Sequence, residues 1–364
     1  MDNTFYYENN LSGLKRSDFQ KSINGKNTDL FILRNDNGAE IAVTNYGGAI
    51  LTIMVPDKNG NYANVIQSHD TIDKVINSPE PFLSTLIGRY GNRISKGKFK
   101  LDGNEYDLTI NNGPNSLHGG PTGFHARVWD AEQTSKQSIS LHYLSVDGEE
   151  GFPGNLDVTV IYTLSNDNEL VITYNAITDK KTIVNLTHHA FFNLAGVANP
   201  TPSVENNILT INADFYTPID EVSIPTGEIL KVEGTPMDFR TPQVVGSRIE
   251  DKFQQLIYGA GYDHCYVLNK EEQGTLTFAA KCVEPNSGRT IEVYTTEPGV
   301  QLYTSNWHSG FEGYHKSTFP KRSAICFEAQ HFPDTPNKGH FPSAVLVPGE
   351  TYYQLTVYKF GVEK

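Results

Sequence analysis

The run Leu30-Phe31-Ile32-Leu33-Arg34-Asn35-Asp36-Asn37-Gly38-Ala39-Glu40-Ile41-Ala42-Val43-Thr44 places two apolar segments on either side of an Asn-Gly turn. It reads as an antiparallel hairpin, because that turn chemistry supplies the positive φ that a tight reversal needs. The same rhythm continues outward. Ala49 to Val55 leads through Pro56-Asp57-Lys58-Asn59-Gly60 into a further hairpin. Hairpins are also expected from Phe99 to Asp107 about Asp102-Gly103, from Ser138 to Asp147, and from Val158 to Ile177 through Ser165-Asn166-Asp167-Asn168. The Asp57 turn has the look of a calcium loop but lacks the closing bidentate Glu, so a plain turn is expected. With 19 Tyr, 19 Phe, 31 Gly and 19 Pro, the composition suits pleated surfaces and turns better than helices. Short strands punctuated by turns, with no helical pattern between them, predict an all-β fold: a large antiparallel β-sandwich with very little helix.

No repeat, low-complexity tract or linker divides the chain. Residues 1–28 read as a polar lead-in, with a helix around Ser17 to Ser22, and residues 29–364 as a single β-sandwich domain. A net charge of −13 opposes binding to nucleic acid or an anionic membrane and leaves room for a neutral or cationic small partner. Cys265, Cys282 and Cys326 are too few and too scattered for a disulfide framework and show no zinc spacing, so they are expected as free buried thiols. No apolar run reaches membrane-spanning length, and Met1-Asp2-Asn3-Thr4-Phe5 is no signal sequence. The expected setting is cytoplasmic, or periplasmic if a signal peptide has been removed.

Chemistry first suggests itself in Ala324-Ile325-Cys326-Phe327-Glu328-Ala329-Gln330-His331-Phe332-Pro333-Asp334-Thr335-Pro336-Asn337. Strand alternation puts Ile325, Phe327 and Ala329 on one face and Cys326, Glu328 and Gln330 on the other. Pro333 and Pro336 then end the ladder beside the carboxylate. A Glu so presented suits a general base; a solvated edge residue or a structural ion pair is the alternative. In Thr182 to Gly196, alternation separates two neighbouring histidines. His189 shares a polar face with Asn185, Thr187 and Phe191, whereas His188 falls with Leu186 and Ala190. His189 is therefore the candidate for a site and His188 for the core. Asn185-Leu186-Thr187 matches a glycosylation acceptor, but a mid-strand position would not be accessible.

Other segments add polar groups. Ile87-Gly88-Arg89-Tyr90-Gly91-Asn92-Arg93-Ile94 offers Asn92 and Arg93 as donors, and the Gly- and Pro-rich stretch from Asn111 to Phe124 reads as a functional loop. Gly261-Tyr262-Asp263-His264 and Glu297 to Thr304 each set one hydrogen-bonding side chain, Asp263 and Gln301, beside an apolar strand. Trp307, Phe124, Phe152 and Phe332 are candidate flat apolar surfaces. Aromatic faces with such donors and acceptors suit a sugar, which has apolar C–H faces and a rim of hydroxyls. No cluster has metal-ligand spacing and there is no nucleophile elbow.

The segments IGRYGNRI, NNGPNSLHGG, VNLTHHAFFNLAG, GYDH, EPGVQLYT, FEAQHFPDTPN and FPSAVLVPGETY, in that order from about Leu30 onward, resemble the aldose 1-epimerase (galactose mutarotase) family. That resemblance implies a galactose mutarotase-like supersandwich that interconverts α- and β-anomers of aldohexoses such as galactose and glucose. It implies no cofactor, no metal, a monosaccharide partner and a monomer or homodimer. By motif, Glu328 is expected as catalytic base and His189 as catalytic acid, with Asn92, Arg93, His118, Asp263 and Gln301 binding substrate. Departures are Gly91 for a common Ala, His188 for a common Asn and Ala329 for a common Thr, the last two beside catalytic positions. Glu328 would take the O1 proton while protonated His189 donates to O5, with the two groups on opposite sides of the hemiacetal and a bell-shaped pH–rate profile. A non-catalytic carbohydrate-binding module of the same fold is the alternative. A glycosidase would need two opposed carboxylates, and a phosphosugar enzyme further basic residues.

Overall fold

A computed structural model describes residues 9–363. Among these, the only α-helices are Ile72–Ile76 and Gln254–Gly259. The hairpin Leu30–Arg34 with Glu40–Thr44 pairs residue for residue from Leu30↔Thr44 to Arg34↔Glu40. Ile50–Pro56 and Tyr62–Asn64 complete a four-stranded sheet. Their turn is closed by Asp57, whose Oδ1 accepts from the N–H groups of Asn59 and Asn61, as the plain-turn reading expects. Asp102 and Gly103 both take positive φ at the tip between Lys98–Leu101 and Asn104–Asp107.

A nine-stranded antiparallel sheet forms the broad layer. Its order is Asp130–Ser135, Ser138–Ser145, Leu156–Leu164, Glu169–Thr178, Tyr352–Val362, Arg289–Thr295, Thr277–Val283, Ile208–Ile211 and Gln243–Val244. The C-terminal strand thus lies mid-sheet, between partners from either half of the chain. Leu156–Leu164 alternates strictly between buried and half-buried positions, so Leu156, Val158, Val160, Tyr162 and Leu164 face one core. That core is shared with Phe31, Ile41 and Ile53 of the four-stranded sheet and with Tyr266, Leu302 and Phe327 of a five-stranded one. Face-to-face antiparallel sheets over a common core are the expected sandwich.

Two sequence expectations need correction. Ser138 to Asp147 is not a hairpin: Ser138–Ser145 is one uninterrupted strand, paired on both sides. Its polar residues alternate with buried Ile139 and Leu141 because one face looks out to solvent; they do not mark a turn. The helix expected around Ser17 to Ser22 is a single 3₁₀ turn over Arg16–Phe19 followed by an extended pair of residues. Phe19, with Leu14, enters a cluster with Leu30, Ile32 and Leu51, and docking that ring outweighs helix propensity in so short a segment.

The five-stranded sheet carries the site. Its order is Leu230–Lys231, Phe215–Tyr216, Asp263–Val267, Gly299–Tyr303 and Cys326–Gln330. Cys326–Gln330 lies at one end, and its outward carbonyls are satisfied from the nine-stranded sheet. The Tyr358 hydroxyl donates to Phe327 O at 2.8 Å and the Gln354 amide to Ala329 O at 3.1 Å. These bonds meet the need of buried edge carbonyls for partners and hold the strand against the core.

Candidate active site

In-register pairing sets Gln301 opposite Glu328, and Tyr303 opposite both Asp263 and Cys326. Since paired residues share a face, Asp263, Gln301, Tyr303, Cys326 and Glu328 all point away from the core on which Tyr266, Leu302 and Phe327 lie. Gln301 Nε2 donates to Asp263 Oδ1 at 2.7 Å, a diagonal bond across the two strands. Strand alternation therefore sorts Glu328 as expected, although both faces of its strand are buried.

Three distant segments close over this polar face. Thr187–His188 pairs with Leu86–Ile87, Tyr90 bridges Asn185, and Arg93–Ile94 pairs with Ser116–Leu117. Asn185 donates to Gly91 O at 3.0 Å and accepts from His331 N–H at 2.9 Å, so the sequon side chain ties the Gly91 segment to the end of the Glu328 strand. Gly119 lies so near the Gly88 carbonyl that a Cβ there would come within 2.0 Å of Gly88 O, at a φ of +82°. This close approach lets His118 reach the cleft. The His118 N–H donates to Asn92 O at 3.1 Å, and the Asn92 N–H donates to His118 Nδ1 at 3.0 Å. With Nδ1 accepting, the proton of neutral His118 sits on Nε2.

The result is a cleft of about 410 Å³ lined by Asn92, Arg93, His118, His189, Asp263 and Glu328, together with Glu80, Phe82, Asn112, Tyr303 and Trp307. Of the seven residues singled out in the sequence, six line it; Gln301 stands behind Asp263. His189 Nε2 lies 3.6 Å from Glu328 Oε1. The His189 ring stacks on Phe191, with centroids 4.5 Å apart and planes at 13°, and lies nearly parallel to Phe82 at 6.5 Å. Arg93 Nε donates to Asn112 Oδ1 at 2.9 Å, and its Nη1 is 3.9 Å from Asp263 Oδ2. His188 instead packs edge-on against Tyr162 in the core, as the face-sorting expects.

Trp307 lies at the cleft, 66% exposed. Phe124, Phe152 and Phe332 do not reach it. Phe124 packs on Trp129, Phe152 near Phe99 and Phe332 on Phe341, each held by burial of its ring. The sequence reading missed Glu80, Phe82 and Tyr303. A carboxylate bracketed by prolines in Ser78-Pro79-Glu80-Pro81-Phe82 was the available signal. A larger hollow of about 550 Å³ beside the lead-in contains none of the motif residues.

Burial dominates the electrostatics. It lifts the Glu328 carboxyl well above the ordinary carboxylate range, helped by the charge of Asp263 and opposed by Arg93. Burial also raises Asp263, against the pull of Arg93 and the Gln301 bond. It lowers His189 to about 3, and His118 well below its ordinary value. Burial thus disfavours charge on both members of the pair. The structure also brings ligand atoms of His118, His189 and Glu328 within 4.8 Å of one another, a grouping hidden from sequence spacing. His118 is poorly suited to a metal, since Nδ1 already accepts the Asn92 N–H and Nε2 bears the proton.

Residues 29–359 match the sequence pattern of the family described as aldose 1-epimerase. The chain belongs to the aldose 1-epimerase family. It is 41% identical to the galactose mutarotase of Bos taurus over 91% of this chain and 94% of that one. With the aldose 1-epimerase of Escherichia coli (strain K12) it shares 34% identity, over 92% of this chain and 95% of the relative. Among solved structures, the GalM/aldose epimerase homologue from C. elegans superposes with a TM-score of 0.85 at 28% identity, over 93% of this chain and 100% of that one. The galactose 1-epimerase from Lactobacillus acidophilus NCFM gives 0.82 at 28% identity, over 94% and 97%. The supersandwich expected from the motifs is thus the architecture shared with these aldose epimerases.

Proposed function

We propose that this chain is an aldose 1-epimerase that interconverts the α- and β-anomers of galactose and related aldohexoses, with Glu328 and His189 as its proton-transfer pair. The observation that carries this reading is the 3.6 Å approach of His189 Nε2 to Glu328 Oε1 inside a cleft rimmed by Arg93, Asn92, His118 and Asp263. O1 and O5 are both bonded to C1 of the hemiacetal, so groups serving them must be near neighbours.

Ring opening starts from Glu328 carboxylate and His189 imidazolium. Glu328 takes the O1 proton as the C1–O5 bond breaks, and His189 gives its proton to O5. The products are the open aldehyde, protonated Glu328 and neutral His189. Rotation about C1–C2 presents the other carbonyl face, and the reverse transfers close the ring as the other anomer. Burial, which disfavours charge on both groups, makes ring opening the step that neutralises the site. His118 Nε2–H and Arg93 are the donors available to developing oxygen charge, while Asp263, braced by Gln301, is an acceptor for ring hydroxyls. Polarimetry on freshly dissolved α-galactose tests the activity: the enzyme should speed the approach to the equilibrium rotation far above the buffer rate.

A further inference from the structure

Glu80 has no part in the steps above, yet its side chain lines the same cleft. The loop that presents it is pinned on several sides. The Glu80 N–H donates to Ser78 Oγ at 3.2 Å, Ser78 Oγ donates to Glu80 O at 2.7 Å, and the Leu83 N–H donates to the same carbonyl at 3.2 Å. Phe82, two residues on, is wedged edge-on against His118 and His125, with centroids 4.7 and 4.6 Å away. Glu80 Oε1 accepts the Phe82 N–H at 3.3 Å. Among the described residues, no other side chain bonds the Glu80 carboxyl and no cation lies within ion-pair distance of it. Burial pushes this carboxyl up to about 7, and its charge is felt at both Glu328 and Tyr303.

The charges around the cleft are one-sided. Its lining carries three carboxyl groups, Glu80, Asp263 and Glu328, against a single guanidinium, Arg93. Arg93 is already engaged by Asp263 and Asn112. Glu328 Oε2 is buried with no hydrogen-bond partner, so a ligand with hydroxyl donors has an acceptor waiting at the bottom of the cleft as well. A neutral sugar brings such donors, whereas a ligand with its own carboxylate meets unpaired negative charge in a poorly solvated space. We propose that Glu80 is a specificity-determining residue of this site: it accepts a hydroxyl of the bound aldose other than O1, and it excludes sugars that carry an acidic group.

This proposal rests on the mutarotase reading, and the test separates the two. Polarimetric kcat/KM is measured at pH 8 for galactose and galacturonate, with the buffer rate subtracted, in the wild-type protein and in Glu80→Gln and Glu80→Asp. The galacturonate-to-galactose ratio is independent of the fraction of active protein, so partial misfolding cannot imitate the effect. Glu80→Gln should raise the ratio at least tenfold and raise KM for galactose at least threefold, while Glu80→Asp keeps the ratio within threefold of wild type. A wild-type protein active on galactose whose ratio and KM are unmoved by Glu80→Gln overturns the role of Glu80 alone. A wild-type protein that leaves galactose at the buffer rate overturns both readings.

Discussion

Tyr358 and Phe327 join the two layers of the sandwich directly behind the candidate base: the Tyr358 hydroxyl donates to Phe327 O at 2.8 Å, one residue before Glu328. Tyr358→Phe removes the donor and leaves a buried carbonyl without a partner, which costs about 1–3 kcal/mol. The variant should unfold at lower denaturant concentration than wild type with an unchanged slope. An unmoved midpoint would mean that this bond does not hold the strand.

Glu328 should itself limit stability. Burial holds its folded pKa well above the ordinary carboxylate range. Its contribution is therefore fully present below the unfolded pKa and is lost as pH rises through the folded one. Glu328→Gln carries no such dependence, so the variant should melt higher than wild type at pH 8, with the gap narrowing toward pH 4. Thermal melts at the two pH values read this difference, which follows the usual opposition between a buried functional charge and stability.

Under the proposed mechanism the pH–rate profile reports the Glu328–His189 pair, whose active form holds one proton. A lowered His189 and a raised Glu328 give a broad bell, with its acid limb below the ordinary range of histidine and its alkaline limb above that of carboxylates. The charge on Asp263 raises Glu328, so Asp263→Asn should let Glu328 lose its proton at lower pH and move the alkaline limb of kcat/KM downward. Arg93 acts in the opposite sense, and Arg93→Met should move that limb upward. Both variants shifting the same way would contradict this electrostatic account.

Phe191 holds the plane of the His189 ring through the 4.5 Å stack. Phe191→Leu keeps apolar volume but releases the ring plane. The expected outcome is a fall in kcat of roughly tenfold with KM for galactose within twofold, since a small misplacement of a proton-transfer group costs rate more than binding. Equal losses in kcat and in active-site concentration, measured by sugar titration, would instead point to simple misfolding.

Much of the fold was legible because hairpin turns and two-residue periodicity are local signals, as the Leu30 to Thr44 pairing and the Asp102-Gly103 tip illustrate. What escaped depends on tertiary context. The docking of Phe19 and the double-sided pairing of Ser138–Ser145 leave no local mark. At the site, alternation separated His189 from His188 correctly because one face of that segment meets the core and the other the cleft. Glu80 escaped because a lone acid in a proline-bracketed loop looks like any solvated surface residue until Phe82 and His189 are seen beside it. Of the four aromatic choices, Trp307 reaches the cleft and Phe124, Phe152 and Phe332 do not, because the sequence cannot separate an exposed ring from one as buried as Phe124.

The account rests on proton transfer by Glu328, and replacing its carboxylate with an amide tests that step most directly. Mutarotation of galactose by Glu328→Gln should fall by about 10² to 10⁴, toward the buffer rate. Galactose should still bind, as read by the fluorescence of Trp307 at the cleft. A Glu328→Gln protein that binds galactose and turns it over at the wild-type rate would contradict the account.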